Sequence, residues 1–157
     1  MSEPPAQDFM ERARSVAASV LFAAGLAAIL GSVIDWVTIE PPPRLPSDQN
    51  AEPFTGVEAD DGWWVIAAAV LVITSAVLLV LRRRSLYGWL GFAASTVIGS
   101  IAVADYRGVE ELAERMDRVG RDVDPGLGLS LVAAAALVGL LASAAGAAAS
   151  PKSTSSA

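Results

Sequence analysis

The chain of 157 residues contains neither cysteine nor histidine. Without cysteine there is no disulfide staple and no thiolate nucleophile, so any loop outside the core must hold its shape by packing alone. Without histidine the chain also lacks the commonest transition-metal and haem ligand and the base on which most Ser or Cys triads depend. Charge is scarce where it would matter most. No Asp, Glu, Lys or Arg lies well inside any of the four long apolar runs, although ion pumps and carriers keep their coupling groups there at a cost of ~2.5 kcal/mol or more. No phosphate-binding glycine loop or dinucleotide fingerprint is present, and a net charge of −6 speaks against nucleic acid. The expectation is a chain that is not an enzyme, has no catalytic residue, and binds no cofactor or metal.

What the chain has in abundance is apolar surface. Hydrophobic residues make up 54% of it, more than a soluble domain of this size can bury, and they are segregated into long runs instead of one-sided stripes. The first run, about 16–37, has an uncharged stretch of roughly 19 residues, enough to cross a ~30 Å hydrocarbon core. Arg12 and Arg14 precede it as they would in a signal peptide, but the stretch is longer than a signal peptide's apolar core and no small-x-small cleavage site follows closely. Runs 63–81 and 86–104 are joined by Arg82-Arg83-Arg84, which forces a tight antiparallel hairpin. The fourth run, 127–149, follows Asp124-Pro125-Gly126, where Asp124 can cap and Pro125 can occupy the first helical position.

These runs predict an all-α fold: a four-helix transmembrane bundle over 16–149, preceded by an N-terminal segment, 1–15, and followed by a polar tail, 150–157, expected to be disordered. If the helices alternate, Arg12, Arg14, Arg82, Arg83, Arg84 and Lys152 share one side, which the positive-inside rule makes cytoplasmic. That side carries 3 acidic and 6 basic residues and the other 14 acidic and 5 basic, so the outer face is anionic. A bacterial plasma membrane with both termini cytoplasmic is the expected location. Arginine outnumbers lysine ten to one, a codon bias of GC-rich genomes.

The outer loops, 38–62 and 105–126, differ. The first is rich in proline (Pro41, Pro42, Pro43, Pro46, Pro53) and is expected to be irregular. The second places Val109, Leu112, Met116, Val119 and Val123 at helical spacing, which predicts a short outer amphipathic helix and a candidate partner-binding edge. Acids of the first loop, Asp48, Glu52, Glu58, Asp60 and Asp61, fail the calcium-loop pattern: Pro53 stands where glycine is needed and Ala59 where glutamate is needed. Solvated acids are the expectation.

Small residues recur every fourth position at Ala23, Ala27 and Gly31, at Gly91, Ser95 and Gly99, and at Ala135, Gly139, Ser143 and Ala147. Such ridges let helices approach closely in lipid, so they are expected to pack the bundle, with homo-oligomerisation the lesser use. Trp36, Trp63, Trp64, Tyr87 and Trp89 fall near the predicted boundaries as interfacial anchors. A binding site under the first loop made by Trp36, Phe54, Trp63 and Trp64 is the lesser reading.

The patterns SVIDWVTIE, FTGVEADDGWW and PGLGLSLVAAAALVGLLA, with the arginine-rich turn between the middle runs, resemble the small four-helix membrane proteins common in actinobacteria. The resemblance covers most of the chain and implies no catalytic residue. The leading expectation is a non-enzymatic component of the cell envelope that contacts lipid and, through its outer loops, another envelope protein. A transporter or channel component for a small, weakly polar solute is the alternative, and it requires Thr96 and Ser100 to face a cavity. A lipid-modifying enzyme using Asp60, Asp61 and Asp105 ranks third.

Overall fold

The computed structural model describes residues 5–39, 52–118 and 122–150. The chain runs α1 (Pro5–Val33), β1 (Asp35–Ile39), β2 (Glu52–Thr55), α2 (Asp61–Arg82), α3 (Ser85–Asp117), β3 (Val123–Pro125) and α4 (Leu127–Ala148). All four helices are long and apolar enough to cross a membrane, consistent with a multi-pass membrane protein. Their packing is that of an inside-out protein. Large side chains such as Leu30, Leu81, Leu86, Leu137 and Leu141 are more than half exposed, whereas the centre is mainly Ala, Gly and Ser with a few aliphatics such as Leu21, Leu79 and Leu129. Water would penalise so large an apolar exterior, and lipid does not.

Close approach is concentrated at small residues. On the α3–α4 seam an added Cβ on Gly88 would lie 2.7 Å from Ala147, one on Gly91 2.9 Å from Ser143 Oγ, and one on Gly139 2.5 Å from Ser95 Oγ. The two serines thus fill the notches left by the two glycines of the opposite helix. The expected ridges on α3 and α4 lie on this seam, with Gly99 partly covered opposite Ala136. On α1 the ridge is displaced by one residue. Ala23 is exposed and Ala27 only partly covered, while Ala24, Ala28 and Leu21 are buried and Gly31 meets Gly128 and Val132. A period-four stripe in so alanine-rich a helix has near-equivalent neighbours on either side, and the long Leu21 and the Gly31–Gly128 contact decide which one turns inward.

The arginine end is tied together by Glu11. Its carboxylate accepts from Arg83 at 2.6 Å and lies 3.6 Å from the buried Arg14, joining α1 to the α2–α3 turn. Arg83 closes α2 in the left-handed conformation (φ 54°), where a glycine is usual.

At the opposite end the structure departs from an all-α fold. Residues 34–37, expected inside the first helix, lie beyond its end at Val33. Asp35–Ile39 forms the central strand of an antiparallel sheet, order β2-β1-β3. The stretch DWVTI is aromatic and β-branched, a composition that favours pleated structure once the spanning length has been used. Pro53 and Pro125 sit in the edge strands, where a missing donor costs nothing to the ladder. Asp124 and Pro125 are therefore strand residues, and Gly126 is the N-cap of α4, without a side-chain cap bond. The second outer segment is no separate helix: α3 continues through it to Asp117 as one rod. Of the proline-rich loop, Pro41, Pro42, Pro43, Pro46 and Asp48 lie outside the described residues, as do Val119 and the 151–157 tail.

Candidate functional site

The sheet and the outer turns of α3 form a cap over the bundle end, and its organising residue is Trp36. The register between β1 and β2 slips between Asp35 and Val37, so two residues of β1 oppose one of β2. A bulge of this kind re-aims one side chain. Here Trp36 is only 3% exposed, and its Nε1 donates to the carbonyl of Gly31 at 2.8 Å. Gly56 lies flat against the indole, where any Cβ would collide with the ring. The backbone closes around it: Gly126 N donates to Trp36 O at 2.6 Å, Gly62 N to Gly56 O at 2.8 Å and Val57 N to Ser32 O at 3.2 Å. Trp36 was expected at the lipid interface; the bulge places it in the cap's own core.

The turn that carries Gly56 is held by a reciprocal bond pair. Glu58 Oε2 accepts from Thr55 N at 2.9 Å and from Thr55 Oγ1 at 3.1 Å, while Glu58 N donates to Thr55 Oγ1 at 3.3 Å. This is the bond pattern of a capping box, here on a turn, and its T-x-x-E spacing stands in the sequence; Glu58 itself is exposed, as expected of a solvated acid.

Beside Trp36 the cap is not filled. A cleft of about 210 Å³ opens between β1, β2 and α3, with Trp36 and Leu129 at its base, Val109 and Leu112 along α3, Phe54 at the rim and Asp105 on the wall. Phe54 is 43% exposed, so its ring presents a face to whatever enters. Farther along the same helix the Tyr106 hydroxyl and Ser130 Oγ lie 2.8 Å apart and tie α3 to α4.

Asp105 gives the cleft its polarity. About 20 residues from Ser85 are enough to cross a ~30 Å hydrocarbon core, so Asp105 stands just beyond the length of α3 that a membrane would take up. Its carboxyl is pushed up to about 6, first by burial, then by the negative charge of the nearby Asp61. Asp105 Oδ2 is buried without a hydrogen-bond partner, a position that penalises the charged form.

The structure thus unites Trp36, Phe54 and Asp105, two of which the lesser aromatic reading had grouped. Trp63 and Trp64 of that group are 61% and 68% exposed on the outside of α2, away from the cleft, and Trp89 is exposed at the arginine end, where its ring meets Phe92 edge-on at 5.8 Å. Tyr87 is half-buried. The expected partner-binding edge turns inward: Val109 and Val123 are buried and Leu112 and Met116 pack against the core. An amphipathic helix resting on a sheet covers its own apolar stripe, and of these residues Val109 and Leu112 also line the cleft. Thr96 and Ser100 are exposed on the outside of α3 and donate to Phe92 O and Thr96 O of their own helix, so no polar seam runs from them into a cavity. Asp60 is exposed, and among the described residues no three carboxylates come together to hold a metal ion. The chain matches no model of a known protein family and no curated protein.

Proposed function

We propose that this is a non-enzymatic membrane protein of the bacterial plasma membrane, with both termini cytoplasmic, whose outer cap receives an envelope partner in the cleft beside Trp36. One observation carries this reading: among the described cavities the cap cleft is the one that sets a carboxyl group, Asp105, beside two aromatic side chains, while the bundle below is closed by Gly–Ser and Gly–Ala contacts. The cleft suits one apolar or aromatic side chain of a partner, with Asp105 beside it as a donor when protonated and an acceptor when not. Orientation follows from the arginines of the α2–α3 turn and the acids of the cap, and the small actinobacterial four-helix proteins that the sequence resembles fit the same plan.

A photo-crosslinking residue placed at Phe54 in the intact cell tests the proposal, with the same residue at the exposed Thr96 as reference. A discrete adduct from position 54 that is lost when Leu112 is changed to Asp supports a partner in the cleft. Adducts of equal pattern from both positions, or none from position 54, would overturn it.

A further inference from the structure

A second concavity lies at the arginine end, on the outside of the bundle between α1 and α4. It has a volume of about 650 Å³, well inside the ~300–1,000 Å³ range of ligand pockets. Its length along α1 runs from Phe9 to Val20, a rise of ~16 Å, close to half of a ~30 Å hydrocarbon core. Its floor contains Ala17 and Ala142, both buried, so two neighbouring helices leave a trough where larger residues would have closed the surface. The lining is apolar except at one end, where Arg12 stands. Arg12 is exposed and, among the described residues, has no ion-pair partner: Glu11 is taken by Arg14 and Arg83, and Asp8, one turn earlier, forms no bridge with it. An apolar trough one leaflet deep with an exposed guanidinium at its headgroup end, unpaired among the described residues, has the shape of a phospholipid and the charge complementary to its phosphate.

We propose that the α1–α4 groove is a binding site for an anionic phospholipid, one acyl chain lying along the groove and the phosphate held by the Arg12 guanidinium. A guanidinium fork binds phosphate oxygens through two parallel N–H donors, and an anionic headgroup adds a second negative charge or leaves the phosphate uncompensated, which a zwitterionic one does not. The site is independent of the cap and rests only on the chain being embedded in a bilayer.

The test uses the full chain in phosphatidylcholine vesicles with a trace of spin-labelled lipid, either phosphatidylglycerol or phosphatidylcholine, and reads the motionally restricted fraction of each. The wild-type chain is expected to prefer phosphatidylglycerol roughly five-fold, the ratio corresponding to ~1 kcal/mol at one arginine. Arg12→Gln should bring that ratio to about one, and Ala145→Phe, which fills the groove from its exposed rim, should lower restriction of both lipids. Val16→Trp does the same from the opposite wall if the first filling variant fails to fold. Arg84→Gln, at an exposed arginine on the same end, should leave the preference intact. Equal restriction of the two lipids by the wild-type chain, a preference that survives Arg12→Gln, or one lost equally in Arg84→Gln would overturn the site. A chain that stays out of the vesicles would overturn the membrane reading along with it, whereas loss of crosslinking at Phe54 would touch only the cap.

Discussion

The cap and the bundle are stabilised in opposite ways. In the bundle the backbone bonds are satisfied within each helix, so stability depends on how closely helices approach, and a methyl group at Gly91 or Gly139 is enough to disturb it. In the cap a short sheet, a capping box and three turn bonds are organised around one large buried side chain. The bundle tolerates changes on its outside and resists added volume inside. The cap resists lost volume, and it carries Asp105, whose carboxyl is raised to about 6.

The sharpest way to break this contrast is Trp36→Ala. Loss of a buried tryptophan costs ~3–5 kcal/mol, and here the loss should fall on the cap: near-ultraviolet dichroism collapses while the far-ultraviolet helical signal of the purified protein is largely kept. A proportional fall of both signals would mean that cap and bundle are one cooperative unit. Next in size is Gly139→Ala, expected to cost ~2 kcal/mol by overpacking. Since its Cβ meets Ser95 Oγ, Ser95→Ala in the same chain should return ~1 kcal/mol or more in a double-mutant cycle read by denaturant unfolding. Ser95 and Ser143 hydroxyls are buried without partners, so Ser95→Ala alone should not destabilise.

A smaller effect separates the two regions by pH. Asp105 has a folded value near 6, raised above the ordinary 3.8, so the folded state holds a proton that the unfolded state has released between those values. Stability is then greatest below pH ~4, falls as pH rises to ~6, and is level above that. Asp105→Asn should remove this dependence and stabilise the protein at pH 7.5 by ~1 kcal/mol, the full linkage value being discounted because the carboxyl is partly exposed to solvent. Melting temperature followed from pH 4 to 8 for both chains decides it. Smallest of all, Thr96→Val should change stability by less than ~0.5 kcal/mol, since that hydroxyl faces outward and bonds only its own helix. A larger loss would revive a polar pathway along α3.

The four long apolar helices were legible because length and uniform hydropathy survive in a linear string. The bundle's seam was half legible: spacing located Gly91, Ser95, Gly139 and Ser143, but on α1 it could not choose between Ala23 and Ala24. The cap was hidden for a different reason. Ile34 to Val37 continue an apolar run, so hydropathy extends the first helix through them, and only the β-branched and aromatic character of DWVTI hints at a strand. Neither the bulge that turns Trp36 inward nor the approach of Asp105 to Asp61 has any local signal, because each depends on residues brought together by the topology. The continuity of α3 is the third case: its stripe was visible, but no proline stands between Ala104 and Val109 and the helix runs through Gly108.

That continuity has a mechanical meaning. A single helix of 33 residues is ~50 Å long, and it begins one residue after the turn where Arg83 grips Glu11 and ends under the sheet beside Phe54's cleft. A helical rod resists bending and twisting far better than a jointed one. An occupant of the cleft, where the proposal places one, would meet at Leu112 a shaft that reaches the arginine turn without a joint.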